Sequence, residues 1–250
     1  MDHFNCRFMI ALSRSGFRSD RASCSKFETV RSLQTIQNFQ RSTLMSVKFF
    51  GDDILFYQRL LSVAGFYKGS LNGKWTAAVD SADQAFAAEF DAIASQLGKF
   101  DSRSENSIRT LLPATQKAAR AFLKKAATDF TAFTVRIISG TRTYAEQDEL
   151  FKKGRFGNPP PRVTNAKGGQ SNHNFGIAWD VGIFDGGKYL TGDTKKEAKA
   201  YKDLADKALT NDLEWGGSWT TIVDMPHYQL KLALDLAEVR TRFEAGKALP

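Results

Sequence analysis

The segment SNHNFGIAWD, residues Ser171–Asp180, carries the most informative chemistry in this chain of 250 residues. It contains a histidine, His173, and ends on an aspartate, and the alternation of its second half predicts a β-strand over Phe175–Phe184. The sequence has three histidines. A second one, His227, ends the segment DMPH, Asp224–His227. Two scarce histidines, each with a nearby carboxylate, therefore mark the two segments from which we expect the functional site to be built.

These residues match the ligand set of a catalytic zinc ion. Such ions are usually bound by two imidazoles and one carboxylate, with one position left open for water. We interpret His173, Asp180 and His227 as the ligands. Asp224 is a candidate general base, since metal-assisted hydrolysis needs a proton acceptor close to the ligands. The spacing is not HExxH, so the ligands would have to meet through the fold, and ordinary surface pairs or core contacts remain the alternative.

Three blocks of sequence, in order, resemble one family of zinc peptidases. SNHNFGIAWD is similar to the S-x-H-x-x-G-x-A-x-D signature of the family that includes D-Ala-D-Ala carboxypeptidases, D-Ala-D-Ala dipeptidases and L-alanyl-D-glutamate endopeptidases. DMPHYQL resembles the second signature of that family, with an acidic residue three positions before the last histidine. ISGTRTYAEQDELFKKGR (Ile138–Arg155) is similar to a third block. The form Asp-x-Pro-His looks most like the L-alanyl-D-glutamate endopeptidase branch.

The resemblance implies a role for each matching residue. His173, Asp180 and His227 would bind Zn²⁺, and Asp224 would be the catalytic acid and base. Arg142 would stabilise the negative charge that develops on the substrate carbonyl. Ser171 and Gln147 also match motif positions, and we expect them to orient the substrate. The implied reaction is hydrolysis of an amide bond in the stem peptide of peptidoglycan, most specifically the bond between L-Ala and D-Glu.

Two other functions stay open. A D-Ala-D-Ala carboxypeptidase or dipeptidase would use the same residues. A zinc-containing wall-binding protein without activity is the alternative from another class, because the scaffold also resembles the signalling domain of Hedgehog proteins. The presence of Asp224 and Arg142 favours an enzyme over a binding protein.

The order of predicted elements indicates an α+β fold. A strand at Thr134–Ser139, a helix opened by a capping box of Thr143 and Glu146, and a strand at His227–Leu230 follow one another without a βαβ repeat. The resembling family has a small antiparallel sheet flanked by helices, which agrees. We expect this catalytic domain to span residues 108–250.

A separate helical module is expected before the catalytic domain. Gln58–Trp75 is similar to part of the three-helix peptidoglycan-binding module found beside many wall hydrolases, which implies such a module at residues 47–95. Residues 96–107 are polar and predict a linker. We therefore expect a chain that begins near residue 105 to keep its chemistry and to bind walls less well.

Composition limits the partners and the location. The formal net charge of +8 favours a polyanionic partner, which could be nucleic acid, anionic lipid, or the teichoic acids and peptidoglycan of a bacterial wall, and charge alone does not choose among them. No nucleic-acid-binding motif accompanies the charge, so nucleic acid is not expected. No apolar run approaches the roughly 20 residues of a transmembrane helix. The two cysteines, Cys6 and Cys24, have no zinc-ribbon spacing.

The first 46 residues differ from the rest. Residues 1–46 are basic and Ser-rich and predict a disordered or over-extended N-terminus without a clear signal peptide. We expect a monomer that stays in the cytoplasm until it is released to the wall, as endolysins do, or a periplasmic or extracellular enzyme.

Overall fold

A computed structural model describes residues 52–159 and 161–250, so the predicted basic segment 1–46 lies outside the described residues. The described residues form seven α-helices and five β-strands. The helices are α1 (Asp52–Val63), α2 (Ala77–Leu97), α3 (Ser102–Ile108), α4 (Pro113–Asp129), α5 (Tyr144–Lys152), α6 (Lys195–Ala208) and α7 (Leu236–Glu244). The strands are β1 (Thr134–Ser139), β2 (Ala178–Asp185), β3 (Lys188–Leu190), β4 (Leu213–Trp215) and β5 (His227–Leu230).

The strands form one antiparallel sheet in the order β1-β2-β5-β4, and β3 pairs with β2. Successive side chains of a strand point to opposite faces of a sheet. Trp179 of β2 and Tyr228 of β5 are fully buried, and the ring of Phe122 from α4 packs against both. α4 and α6 cover this face. The predicted α+β fold, a small antiparallel sheet flanked by helices, is confirmed.

A second hydrophobic cluster joins the first two helices to the end of the chain. Phe56 of α1 contacts the ring of Phe243 of α7 at a centroid distance of 5.2 Å, and Phe243 contacts Phe175 at 5.3 Å. Leu60 and Ile177 belong to the same cluster. The described residues before α3 thus share a hydrophobic core with the part of the chain that carries the histidine motif.

The segment expected to hold a three-helix module contains two helices where the structure describes it, α1 and most of α2. Between them, residues 64–76 form turns. The buried Gln58 holds these turns: its Oε1 accepts hydrogen bonds from the backbone N–H groups of Asn72 and Gly73, both at 2.9 Å. The boundary between a helical module and a catalytic domain stays a prediction.

The segment predicted as a linker, residues 96–107, is largely helical. It contains the end of α2 and most of α3. Asp101 caps α3 by accepting hydrogen bonds from the backbone N–H groups of Arg103 and Ser104. The hydroxyl of Ser104 in turn accepts a hydrogen bond from the N–H of Ile137 on β1, at 3.0 Å. The polar residues that suggested a linker are therefore the cap and the sheet contact of a short helix.

Arg120 of α4 stabilises this region through an ion pair with the half-buried Glu105. Its guanidinium donates to Glu105 Oε1 at 2.8 Å and Oε2 at 2.7 Å, and to the carbonyl of Gly98 at 2.7 Å. The Arg120 side chain is fully buried. Burial of Glu105 raises the pKa of its carboxyl. The hydrogen bonds from Arg120 and from the backbone N–H of Phe100, with the positive charges of Arg120 and Lys99, together outweigh burial, and the pKa lies below its ordinary value.

We expect Arg120→Met to lower the free energy of unfolding by about 1.5–3 kcal/mol, because the half-buried Glu105 and the carbonyl of Gly98 lose a charged hydrogen-bond donor. Urea denaturation measures this loss. The matched control is Lys199→Met, which removes an exposed ion pair to Asp203 and should change stability little. Since the folded-state pKa of Glu105 is lowered, the stability from this pair is present at neutral pH and is lost as pH falls through that pKa. A stability difference between wild type and Arg120→Met that does not shrink in acid would contradict this account.

Among the described residues, no helix combines the length and the apolar composition needed to cross a bilayer.

Candidate metal centre

The register of two antiparallel strands places the aspartate of the first motif beside the histidine of the second. Asp180 on β2 lies directly opposite His227 on β5. Their neighbours Trp179 and Tyr228 point into the core, so Asp180 and His227 point to the opposite face of the sheet. His227 is buried, and the Asp180 side chain is 19% exposed. Two residues 47 positions apart in sequence therefore meet through a single pair of strands.

A short 3₁₀ turn, Asn172–Phe175, brings His173 to the same place. The backbone carbonyl of His173 accepts a hydrogen bond from the N–H of Arg142 at 3.0 Å. The side chain of Asn174 donates to the carbonyl of Arg142 at 2.8 Å and accepts from the N–H of Gly169 at 3.0 Å. These bonds fix the turn against the segment after β1. The sequence pattern predicts a strand from Phe175, but the regular strand begins at Ala178 because the turn and Gly176 precede it.

Gly176 ends this turn in a left-handed conformation, with φ of +72°. A Cβ added there would lie 3.0 Å from Leu60 Cδ1 and 3.0 Å from Leu112 Cγ. We expect Gly176→Ala to destabilise the protein by more than the about 1–2 kcal/mol that a left-handed backbone costs a non-glycine residue. Thermal or urea unfolding measures the loss.

Gly65→Ala is the matched control for that substitution. Gly65 has φ of +87°, and an added Cβ there would meet no atom within 4 Å. The control therefore carries backbone strain without crowding. Equal losses of stability in the two variants would show that the contacts with Leu60 and Leu112 do not limit residue 176.

The three predicted ligands converge on one point. His173 Nε2 lies 3.0 Å from Asp180 Oδ1 and 3.1 Å from His227 Nδ1, and His227 Nδ1 lies 3.5 Å from Asp180 Oδ1. In the part of the chain that the structure describes, this is the group of histidine and carboxylate residues that could hold a metal ion. Ligand atoms that surround a tetrahedral Zn²⁺ at its usual bond lengths lie about 3.3 Å apart. The observed separations fit such a site.

Hydrogen bonds on the far side of each ring leave a lone pair facing the convergence point. His173 Nδ1 lies 2.7 Å from the carbonyl of Gly140, which can only accept, so Nδ1 carries the proton. His227 Nε2 lies 2.9 Å from Gln229 Oε1, so that nitrogen is the protonated one. Two bare nitrogens and a carboxylate oxygen then face one another. A cation such as Zn²⁺ bound between these three electron-rich atoms would stabilise the arrangement.

The pKa directions of two of the three groups agree with a binding site for a cation. Burial lowers the pKa of His173 and outweighs Asp180, so this imidazole is held neutral. Burial raises the pKa of Asp180, but the two imidazoles outweigh burial and hold it well below its ordinary value. A neutral imidazole and an ionised carboxylate are the forms that bind metals. Burial lowers the pKa of the third, His227, but the hydrogen bonds and negative charge around it, chiefly from Asp180, outweigh burial and raise it.

Asp224 lies beside the three predicted ligands, on the loop that precedes β5. Its backbone N–H donates to the carbonyl of Gly216 at 3.0 Å, and its own carbonyl accepts from the N–H of His227 at 3.2 Å. The side chain is half-buried. Burial raises the pKa of the Asp224 carboxyl, and the negative charge of Asp180 raises it further. A carboxyl with a raised pKa is suited to proton transfer near neutral pH.

Arg142 reaches the ligands from the segment after β1. Its Nη2 donates to Asp180 Oδ2 over a long distance of 3.5 Å, and its side chain is 20% exposed. A guanidinium has five N–H donors. Arg142 Nε has no partner among the described residues. The side chain thus places positive charge next to the ligands and keeps donors for another oxygen.

The two predicted substrate-binding residues differ in their surroundings. Ser171 is half-buried and directly precedes the turn that carries His173. Gln147 of α5 is buried, and its Nε2 donates to the carbonyl of Ala166 at 2.9 Å. Gln147 therefore contacts the loop between α5 and the histidine turn. Contact of either residue with substrate stays a prediction.

Sequence reasoning missed two residues that hold the histidines from behind. Gly140 and Gln229 accept hydrogen bonds from the rings. Trp219, one of the aromatic residues considered for the cleft, packs against the ring of His227 at a centroid distance of 5.0 Å. Gln229 lies two residues after His227, on the same face of β5. That spacing is the one signal in the sequence that could have suggested its role.

Comparisons with known proteins agree with this site. A family model described as D-alanyl-D-alanine carboxypeptidase matches residues 164–230, which contain all three predicted ligands and Asp224. The peptidoglycan L-alanyl-D-glutamate endopeptidase CwlK of Bacillus subtilis (strain 168) is 34% identical over 113 residues, which are 42% of this chain and 66% of that protein. The chain thus spans just under two thirds of the length of this relative.

A solved structure also matches. The L-Ala D-Glu endopeptidase ChiX of Serratia marcescens is 27% identical, and the match covers 53% of this chain and 89% of that one, with a TM-score of 0.35. The family match and the B. subtilis relative agree with the three sequence motifs and with the His-Asp-His cluster. Residues 164–230 thus match the peptidase family described as D-alanyl-D-alanine carboxypeptidase, and the chain is similar to an L-alanyl-D-glutamate endopeptidase.

Proposed function

We propose that this protein is a zinc peptidase that hydrolyses the bond between L-Ala and D-Glu in the stem peptide of peptidoglycan. The observation that carries the proposal is the convergence of His173, Asp180 and His227 on one point, with Asp224 and Arg142 beside it. The name of the B. subtilis relative supports this choice of bond.

The chain would hold Zn²⁺ through His173 Nε2, Asp180 Oδ1 and His227 Nδ1. The ion would polarise the scissile carbonyl and make water acidic enough to ionise near neutral pH. Asp224 would accept the proton of the attacking water and deliver it to the leaving amine. The guanidinium of Arg142 would donate to the carbonyl oxygen as negative charge develops on it, where such a donor contributes about 3–4 kcal/mol.

One observation favours hydrolysis of a different bond in the stem peptide. The family model that matches residues 164–230 is described as a D-alanyl-D-alanine carboxypeptidase. The same four side chains could act on a terminal D-Ala-D-Ala bond, because the chemistry of amide hydrolysis is the same. The two reactions differ in their products.

Mass spectrometry of digested peptidoglycan tests the proposal. Fragments with a new amino-terminal D-Glu are the expected result. Release of free D-Ala would assign the carboxypeptidase reaction, and sedimentation with walls without new amino termini would assign a wall-binding protein. A chelator should abolish product formation and added Zn²⁺ should restore it. Digestion that is unaffected by complete removal of metal would defeat the zinc proposal.

The partner and the location follow from this proposal. Peptidoglycan is the expected partner, and the positive net charge suits an anionic wall. Wall binding by residues 47–95, a monomeric state, and action from the cytoplasm after release or from outside the membrane remain predictions.

A further inference from the structure

Three hydrogen-bonded polar side chains lie next to Nε2 of His227, the ring nitrogen that faces away from the candidate metal site. His227 Nε2 lies 2.9 Å from Gln229 Oε1. Gln229 Nε2 donates to Glu214 Oε2 at 2.8 Å, and Asn172 Nδ2 donates to Gln229 Oε1 at 2.7 Å. Gln229 is 9% exposed. Each polar atom of the Gln229 side chain is therefore used within the protein, in a place where water has little access.

The sheet builds this chain through its register. Glu214 on β4 lies directly opposite Gln229 on β5. His227 precedes Gln229 by two residues, so the two side chains share one face. Glu214 also accepts a hydrogen bond from Trp219 Nε1 at 2.8 Å, and the Trp219 ring packs against His227. One carboxylate thus positions both the hydrogen-bond partner and the packing partner of this histidine.

The carboxylate decides which way the amide of Gln229 faces. An ionised carboxylate can only accept hydrogen bonds. If the Gln229 amide were turned over, its oxygen would face Glu214 Oε2, and two acceptors would repel each other. Glu214 therefore directs the amide nitrogen to itself and the amide oxygen towards His227. An amide oxygen next to Nε2 requires the proton on Nε2, which leaves the lone pair on Nδ1.

We propose that Gln229, oriented by Glu214, is a positioning residue that selects the Nε2–H form of His227 and so makes Nδ1 its metal-binding atom. This inference rests on the zinc site of the proposed function. A partner that fixes the proton of a ligand histidine typically changes metal affinity by about 10- to 100-fold. Without Gln229, the ring can exchange to the form in which Nδ1 is protonated and cannot bind.

The position of the proton can be measured directly in the metal-free wild-type protein. The nitrogen chemical shifts of the His227 ring distinguish a protonated from a bare nitrogen. At alkaline pH, where the imidazole is neutral, we expect Nε2 to be protonated and Nδ1 to be bare. A protonated Nδ1 would overturn the proposal without any variant.

Two variants test the role of the amide. Gln229→Met keeps the length of the side chain and removes the acceptor, and Glu214→Gln keeps the shape and removes the preference for one amide orientation. We expect Gln229→Met to weaken Zn²⁺ binding by about 10- to 100-fold in competition with a chelator, with a smaller loss in Glu214→Gln. In both, the nitrogen shifts of His227 should move towards a mixture of the two forms.

Gln84→Met is the matched control, since Gln84 lies exposed on α2 and donates only to Asp80. It should leave Zn²⁺ affinity and the His227 shifts unchanged. If Gln229→Met does not fold, Glu214→Gln and the wild-type shifts decide the question. Wild-type Zn²⁺ affinity and unchanged shifts in a folded variant would overturn the inference. Zn²⁺ binding by wild type without hydrolysis of peptidoglycan would instead defeat the proposed function and leave this inference standing.

Discussion

Replacing His173 by alanine is expected to abolish both Zn²⁺ binding and peptidoglycan hydrolysis. Loss of a hydrogen-bond partner behind a ligand already costs about 10- to 100-fold in metal affinity, and loss of the ligand itself should cost more. His173 Nε2 contacts both other ligand atoms, at 3.0 and 3.1 Å, so no other described histidine can take its place. Metal analysis of the purified variant measures the first effect, and release of wall fragments measures the second.

Asp180→Asn tests the same ligand set, and it has a matched control. The substitution keeps the shape of the side chain and removes the charge that balances the cation. Asp185→Asn makes the same change on the same strand, β2, at an exposed position away from the ligands. We expect loss of metal in Asp180→Asn alone. Stoichiometric Zn²⁺ in both His173→Ala and Asp180→Asn would show that the three residues are not the ligand set.

Replacing Asp224 by asparagine should separate catalysis from metal binding. A positioned general base contributes about 100- to 10,000-fold to the rate, and an amide cannot take up the proton of the attacking water. We therefore expect kcat/KM for wall fragments to fall by that amount while the Zn²⁺ content stays at the wild-type level. Hydrolysis rates and metal analysis on the same preparation measure the two quantities together.

The control for this variant is Asp193→Asn, an exposed aspartate in the loop before α6. It should retain the wild-type rate. Near-normal hydrolysis in Asp224→Asn would remove the acid and base role from Asp224. A parallel loss of Zn²⁺ in that variant would mean that Asp224 helps to hold the metal.

The candidate metal ligands could be predicted because histidine is rare in this sequence. Three histidines offer few combinations, and the spacing of His173 and Asp180 within one motif limits them further. β1 at Thr134–Ser139 and the capping box of Thr143 and Glu146 were predictable for a different reason. Their signals lie within six residues and need no information from the rest of the fold.

The elements that were not predicted depend on contacts between residues that are far apart in the sequence. β4 has three residues, too few to show an alternating pattern, yet it supplies Glu214. The pairing of Glu214 with Gln229 exists only through the register of β4 and β5. α3 looks like a linker because its polar residues cap the helix and contact β1. α6 was also not predicted, although the sequence did contain a signal for it. Its buried residues recur at helical spacing: Ala200, Tyr201, Leu204, Ala205 and Ala208.

The hydrophobic cluster shared by α1, α7 and the His173 turn has a consequence for chimaeric lytic enzymes. A cut near residue 105, which the sequence suggested would leave the chemistry intact, would remove Phe56 and Leu60 from their contacts with Phe175 and Gly176, whose positions set the histidine. We expect foreign targeting segments to be tolerated when they are fused ahead of Asp52, and grafts that replace α1 and α2 to produce insoluble protein.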